Sequence, residues 1–346
     1  MFFPHRIPSL RIKAKLTSFN AFLALFLVSL LSVLSLNGCA FKSGDDLMLQ
    51  VGITNWPGYD VVLYAQTAKL FENRGLEVKL VRFTNPQDAA RALLRGSIDA
   101  SFMNLSVAMQ ADPGNDSPVF IMVADTSYGS DGIVAQPEIQ AVEDLKGKRV
   151  AAKLGAANHL ILLEALQAYG IKPEEVAIED VSNEIAVQLM EKGKVDAAAL
   201  WEPLLSQIKQ ATAGNIIHTT KDVDTLVIDG LASRSAVVAE KQEALKRFIL
   251  AWFDLMQVIA DEPDRVFADV AAQLGQSAES FAQDYAGLKP GDKAMNQRML
   301  PGGRLKEAAQ QLRRLLSSDP RHSRVLREDF ATNSEPVVAA IEIEKS

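Results

Sequence analysis

The chain contains 346 residues and carries a formal net charge of −7, with 48% hydrophobic and 23% charged residues. This composition excludes an intrinsically disordered chain, and the length suits about two domains. The negative charge argues against a nucleic-acid partner, because phosphate binding needs a basic surface. The single cysteine excludes a disulfide framework and a cysteine-based zinc site, and we expect no cofactor and no metal ion.

The chain begins with a basic segment that is followed by an apolar one. Four basic residues and no acidic residue precede residue 39, and the apolar run Ala21–Leu34 is too short to span about 30 Å of hydrocarbon comfortably. This order predicts a secretory signal over residues 1–38. The sequence LNGC, which ends at Cys39, resembles a bacterial lipobox and implies a lipid on Cys39, followed by a tether over residues 39–46. An uncleaved anchor helix is the alternative, and both interpretations place the remaining residues outside the cytoplasm.

Strand patterns alternate with helix patterns from residue 48 onward. The first series predicts strands at 49–54, 77–83, 98–102 and 119–124 and helices at 59–73 and 86–95. The second series predicts strands at 149–153, 176–181 and 195–200 and helices at 159–169 and 184–192. Alternating βα units indicate an α/β protein with mostly parallel sheets and helices on both faces.

One local pattern occurs in both series. Residues 87–104 and 184–202 each contain an amphipathic helix, a glycine, an Asp-Ala pair and a short apolar strand. This repetition predicts two lobes of like architecture. Ligands of open α/β sheets bind beyond the carboxyl ends of strands. The pattern then becomes helical, with predicted helices at 242–260, 265–274, 278–285 and 305–316.

Three stretches resemble a known family in their order and spacing. They are VGITNWPGYDVVLYAQTAKLFENRGLEVKLVRF from residue 51, DLKGKRV from residue 144 and DAAALWEP from residue 196. They resemble ABC-transporter substrate-binding proteins of the nitrate/sulfonate/taurine type, a group that includes binders of thiamine-pyrimidine precursors. The resemblance covers roughly residues 48–300 and implies a two-lobed periplasmic-binding-protein type 2 fold with two hinge crossovers and a helical C-terminal region.

The resemblance also implies where the lobes and hinges lie. Lobe one would comprise residues 47–132 and 228–346, and lobe two would comprise residues 133–227. The two crossings would lie near Asp131–Ala135 and Leu226–Gly230, which are short extended stretches that contain glycine and suit hinge bending.

Aromatic and polar side chains follow predicted strands, where a ligand would lie. Asn55, Trp56 and Tyr59 follow the first strand, and flat rings with a polar edge suit a planar or alkyl ligand. A packed turn with Asn55 as helix cap is the alternative. At another strand end, we expect Trp201 to contact the ligand. Glu202 would accept a hydrogen bond from the ligand or, in the favoured interpretation, from the protein itself.

The turn Leu154–His159 leads into a predicted helix and would present free N–H groups at the positive end of the helix dipole. Such a helix N-terminus can bind an anionic group. In the resembling family this turn often carries Ser or Thr, whereas Ala156 and Ala157 stand here. The departure weakens a nitrate or sulfonate assignment. Ala157, Asn158 and His159 are candidates for ligand contact, with capping or packing as the alternative for Asn158 and His159.

Five further polar residues near strand ends or crossings are candidate ligand contacts: Asn104, Ser106, Tyr128, Asp131 and Asp229. Two acids near the cleft would disfavour a bare anion and favour a ligand with N–H donors.

The resemblance implies a monomeric, lipid-anchored binding protein outside the cytoplasm that delivers a small molecule to an ABC permease in the cytoplasmic membrane. Aromatic N-heterocycles or pyrimidine-like compounds rank first as ligands, alkylsulfonates second and nitrate-sized anions third. A chemoreceptor or sensor component is one alternative. A pyrimidine-synthesis-type enzyme on the same fold is another, but no Gly-x-Ser-x-Gly, phosphate-loop or His-Glu-x-x-His motif occurs, and we expect no enzyme.

Overall fold

The computed structural model describes residues 47–111, 116–223, 225–322, 324–328 and 330–343. The predicted signal, the tether and Cys39 lie outside these residues. Among the described residues, no helix combines the length and the apolar character that a membrane span requires.

The described strands form two sheets. In chain order they are β1 (Met48–Ile53), β2 (Glu77–Arg82), β3 (Ala100–Asn104), β4 (Pro118–Ser127), β5 (Asp131–Ala135), β6 (Arg149–Ala152), β7 (Ala177–Asp180), β8 (Ala197–Trp201), β9 (Asn215–Thr219), β10 (Ile228–Arg234), β11 (Leu288–Pro290) and β12 (Ala331–Thr332). The first sheet has the order β11-β4-β10-β3-β1-β2, with β12 also paired to β4, and the second has the order β7-β6-β8-β5-β9. Every residue of β3, β4 and β5 is buried, as expected for strands covered on both faces.

The sheets are mixed rather than mostly parallel. β1 runs parallel to β2 and β3, and β6 runs parallel to β7 and β8. β10 is antiparallel to β3 and β4, and β5 is antiparallel to β8 and β9. The prediction of mostly parallel sheets is therefore wrong for β5 and β10. Both strands enter their sheet directly from the other sheet, without the crossover helix that parallel pairing within one sheet requires.

The helices are α1 (Pro57–Asp60), α2 (Val62–Thr67), α3 (Leu70–Asn73), α4 (Pro86–Leu94), α5 (Leu105–Met109), α6 (Ala157–Ala168), α7 (Asn183–Glu191), α8 (Leu204–Thr212), α9 (Ser235–Glu240), α10 (Gln242–Asp261), α11 (Pro263–Leu274), α12 (Ala278–Ala286), α13 (Lys293–Met299), α14 (Arg304–Leu316) and α15 (Glu335–Ile343). The segment predicted as one helix over 59–73 is thus α1, α2 and α3 in succession. Lys69, between α2 and α3, has φ of 57° in the left-handed region, which interrupts an α-helix.

The chain passes between the two sheets twice. It leaves the first sheet after Ser127 and enters the second at Asp131, and it returns between Thr219 and Ile228. The stretch Asp131–Ala135, predicted as a crossing, is the strand β5 itself. The crossing segments proper are therefore residues 128–130 and 220–227.

The C-terminal helices pack mainly on the first sheet. In α10, the Trp252 ring lies 5.5 Å from the ring of Phe102 on β3, and its indole N–H donates to the carbonyl of Gly291 at 2.9 Å. The ring contact and the hydrogen bond fix α10 against the sheet whose strand ends lead into the site described below.

The segment after α14 makes additional contacts with the part of the chain that carries the second sheet. Asp319 lies 2.9 Å from Nε2 of His159 on α6, and Arg321 donates to the carbonyls of Val176 and Pro173 at 2.8 and 2.7 Å. Burial works to raise the pKa of Asp319, but hydrogen bonds from Arg321 and His159 lower it below its usual range. The ionised carboxylate therefore holds this contact together.

Candidate functional site

A cavity of about 320 Å³ lies where the strand ends of the two sheets meet. Residues after β1 and β3 and at the start of β10 line it from the first sheet, and residues of β5, β8 and the start of α6 line it from the second. Eight of the sequence-predicted contact residues line this cavity: Asn55, Trp56, Tyr59, Asn104, Asp131, Ala157, Trp201 and Asp229. Their contact with a ligand stays a prediction.

One wall of the cavity is aromatic. Trp56 is buried, and its indole N–H donates to both carboxylate oxygens of Asp125 at 3.2 Å. Gly58 permits this arrangement, because a Cβ at position 58 would overlap Asp125 Oδ2. Trp201 ends β8 and is partly exposed to the cavity. Together Trp56 and Trp201 offer flat apolar surface to a small planar molecule.

Asp229, Tyr59 and Asn104 form a hydrogen-bonded group at the cavity. The Tyr59 hydroxyl donates to Asp229, and the Asn104 amide donates to both Asp229 oxygens at 3.5 and 3.4 Å. Asn104 Oδ1 accepts from the Ser106 N–H and hydroxyl, which fixes the side-chain amide with its NH₂ toward Asp229. Burial raises the pKa of Asp229 to about 6, although the bonds from Tyr59 and Asn104 oppose this rise.

Asp131 differs from Asp229 because its carboxylate lacks partners. The residue is 1% exposed, and neither carboxylate oxygen has a hydrogen-bond partner among the described residues. Burial raises its pKa to about 7, and repulsion from Asp229 and Glu202 contributes. The Ser127 hydroxyl lies near enough to oppose the rise, and it also shares a hydrogen bond with Thr220 Oγ1 at 2.8 Å, in which either hydroxyl can donate.

The cavity is strongly acidic. Asp131, Asp229 and Glu184 line it, and the described residues around it include no Lys, Arg or His. Asp125 lies behind Trp56, and burial followed by repulsion from Asp229 raises its pKa well above the usual range. No described basic side chain forms a salt bridge with Asp125, Asp131 or Asp229. The site therefore has an unbalanced negative charge whenever these groups ionise.

The start of α6 uses its polar groups internally. The Gly155 N–H donates to His159 Nδ1 at 3.1 Å, and the His159 N–H donates to Asn158 Oδ1 at 3.1 Å. Because Nδ1 accepts, Nε2 carries the proton and donates to Asp319. Burial lowers the pKa of His159, which favours this neutral form.

Five predicted contact residues do not line the cavity. Asn158 and His159 are fully buried, and Asn158 donates to Asn183 Oδ1. Ser106 is fully buried and orients Asn104. Tyr128 is 40% exposed, and its ring lies 3.9 Å from the Lys289 ammonium.

Glu202 is the fifth of these residues. Its carboxylate accepts from the Ser206 N–H and hydroxyl at 3.0 and 2.6 Å, at the start of α8. Its side chain faces a smaller adjoining pocket of about 160 Å³ rather than the main cavity. The favoured structural interpretation of Glu202 agrees with this geometry.

Comparison with known families identifies the family to which the chain belongs. A family described as NMT1-like matches residues 44–275, more than half of the chain. The chain belongs to the NMT1-like family. This NMT1-like protein is 28% identical over 250 residues to a protein of Brucella abortus (strain 2308) provisionally named as a binding protein, covering 71% of this chain and 75% of the relative. It is 25% identical over 194 residues to the taurine-binding periplasmic protein of Escherichia coli (strain K12), covering 55% of this chain and 60% of the relative.

Solved structures share the fold of this NMT1-like protein. The periplasmic aliphatic sulphonate binding protein SsuA from Escherichia coli superposes with a TM-score of 0.63 at 21% identity, covering 77% of this chain and 93% of that one. A ligand-binding component of an ABC-type import system from Staphylococcus aureus superposes with a TM-score of 0.67 at 15% identity, covering 85% and 98%. The predicted family resemblance and periplasmic-binding-protein fold are confirmed. These relatives are binding proteins, in agreement with the prediction that the chain is not an enzyme.

Sequence reasoning missed several residues of the site in this NMT1-like protein. Thr54 and Thr84 line the cavity just beyond β1 and β2, and Glu184 lines it at the start of α7. The rule that ligands lie beyond strand ends points to Thr54 and Thr84. Asp125, inside β4, carries no such signal, because its role depends on the approach of Trp56 from a distant part of the chain.

Proposed function

We propose that this chain is an extracytoplasmic solute-binding protein that captures a small molecule in the cavity between its two sheets and delivers it to an ABC permease in the cytoplasmic membrane. The observation that carries this proposal is the cavity itself, with aromatic and polar side chains from both sheets. The family and the periplasmic relatives support it. We propose that the protein acts as a monomer.

Closure around the solute would occur by bending at the two crossings. Gly129 in the first crossing has φ of 114°, a conformation that L residues rarely adopt. The second crossing spans residues 220–227 and adjoins Asp229. Small rotations in these two segments would move one lobe, residues 47–127 with 228–346, relative to the other, residues 131–219. The boundary predicted between residues 132 and 133 falls inside β5.

The residues that line the cavity also suggest a ranking of ligand classes. Relatives include taurine and aliphatic sulfonate binders, but Ala156 and Ala157 offer no hydroxyl to an oxyanion, and the cavity contains no described basic side chain. We therefore rank aromatic N-heterocycles or pyrimidine-like solutes ahead of alkylsulfonates, and both ahead of nitrate.

The test is a thermal-shift screen of the full chain, purified in mild detergent, against a broad panel of small solutes, followed by isothermal titration calorimetry of each hit. We expect at least one solute to bind saturably with one site per chain. A panel that covers all three ligand classes and produces no saturable binding would contradict the proposed function.

Lipid attachment at Cys39 is a separate part of the proposal, because Cys39 lies outside the described residues. Metabolic labelling with radioactive palmitate in the native host tests it. We expect label in the wild-type chain and none in Cys39→Ser, and equal labelling of both chains would refute the lipid anchor.

A further inference from the structure

We propose that the cavity selects organic cations, with a protonated amidine, guanidine, amine or aminoheterocycle seated on the carboxylates of Asp131 and Asp229. This inference rests on the proposed function and assigns the charge of its ligand. The proposed cation differs from the sulfonates that some relatives bind, and the proposal depends on residues that line this cavity.

The carboxylate of Asp131 is left unsatisfied by the described residues of the ligand-free protein. A buried polar group without a hydrogen-bond partner is rare in folded proteins, and a buried carboxylate has a high desolvation cost. Both oxygens of Asp131 lie in this state at the wall of the cavity. A ligand that brings two N–H donors into the cavity would satisfy both oxygens at once, and a positive charge would offset the desolvation.

The carboxylate of Asp229 also lines the cavity. Tyr59 and Asn104 donate to Asp229 and hold it in one orientation. An ionised carboxyl has about four acceptor positions, so Asp229 retains capacity for a further donor. Asp131 and Asp229 interact electrostatically, and one cation between them would remove that repulsion.

The N-terminus of α6 is the position at which an anion would compete with a cation. This N-terminus favours an anion through the helix dipole, but the Gly155 and His159 N–H groups already have acceptors in His159 and Asn158. The N–H groups of Ala157 and Asn158 are therefore the ones that remain for an anion. The two residues of this turn that line the cavity are alanines. An anion would find uncharged donors such as Thr54, Asn55 and Thr84 but no basic side chain among the described residues that line the cavity, and it would meet the repulsion of two or more carboxylates.

The experiment uses two pairs of aromatic probes, and the two members of each pair are similar in size and opposite in charge. Isothermal titration of the full chain at pH 8 compares benzamidinium with benzoate, and phenylguanidinium with benzenesulfonate. We expect saturable binding of at least one of the two cations and at least 100-fold weaker binding of its matched anion. Anions that bind as tightly as the cations, or two cations that fail to bind, would overturn the inference.

Two variants locate the binding. Asp131→Asn should weaken binding of the cation by roughly 10- to 100-fold, because a charged hydrogen-bond partner is lost. Asp284→Asn is the matched control. Asp284 is a buried acid outside the main cavity, so its replacement should leave affinity within about twofold. Equal losses in both variants, or no loss in Asp131→Asn, would refute the assignment of Asp131.

These results are distinguishable from failure of the proposed function. If the solute screen identifies an anion that binds saturably while both cations fail, the chain remains a solute-binding protein and the cation inference is wrong. If no solute of any class binds, the proposed function fails, and the cation inference fails with it.

Discussion

Replacement of Asp131 by asparagine should stabilise the ligand-free protein. Its carboxylate is buried without partners, so the ionised form lacks the hydrogen bonds that would offset its desolvation. Burial raises its pKa from 3.8 to about 7. A pKa difference of that size corresponds to roughly 4 kcal/mol against the ionised folded state.

The direction of the pH dependence follows from the raised pKa. Between about pH 4 and pH 7 the folded state holds more protons on Asp131 than the unfolded chain does, so this residue lowers the free energy of unfolding as the pH rises. Its destabilising effect is nearly complete at pH 8, about one unit above this pKa. Because the asparagine amide is also buried, we expect Asp131→Asn to add about 1–3 kcal/mol at pH 8 and less than half of that at pH 5.

The assay is urea unfolding of the ligand-free full chain, followed by circular dichroism at pH 8 and pH 5. The control is Glu138→Gln, which removes an exposed carboxylate and should change the free energy of unfolding by less than about 0.5 kcal/mol. A variant Asp131→Asn that is less stable than the wild type at pH 8, or equally shifted at both pH values, would refute the reasoning, because the carboxylate would then have a structural partner.

Three further substitutions test other parts of the account. Trp201→Ala should weaken the binding of aromatic solutes, measured by calorimetry, by about 10- to 100-fold with little change in the thermal unfolding midpoint. An unchanged affinity would show that Trp201 does not contact the solute. Asp319→Asn should lower the free energy of unfolding by about 2–4 kcal/mol near pH 7 by removing a buried partner of His159. This loss should shrink as the pH falls below the ordinary aspartate pKa of about 4 and disappear only below the lowered pKa of the folded Asp319, and a pH-independent loss would contradict it. Gly58→Ala should lower the thermal unfolding midpoint through its overlap with Asp125, whereas an unchanged midpoint would show that the turn relaxes.

The sequence predicts those parts of the site that depend on local order along the chain. Asn55, Trp56 and Trp201 follow strands whose hydrophobic pattern is clear, so the strand-end rule brings them to the cavity. His159 and Asn158 are predicted from another local rule, the glycine-containing turn at a helix N-terminus, but they are fully buried and do not line the cavity. The partner of His159 is Asp319, 160 positions later in the chain, and no local pattern contains such a pairing.

Tertiary contacts also decide which acids matter. Asp131 and Glu202 both lie near predicted strand ends, yet Glu202 is satisfied by Ser206 at the start of α8 and Asp131 has no described partner. The sequence identifies both as candidates. The difference between them depends on a helix that was not predicted and on the path of the chain between the two sheets.

Hydrogen–deuterium exchange of the full chain, with and without a saturating solute from the screen, tests most directly whether the cavity between the sheets is the binding site. We expect slower exchange in residues 54–60, 156–158 and 201–204, three segments that contribute to the lining of the cavity, and in the two crossings at residues 128–130 and 220–227, with little change elsewhere. Slower exchange confined to the surface groove beside α14, which Lys306, Arg313 and Phe330 line, would contradict it.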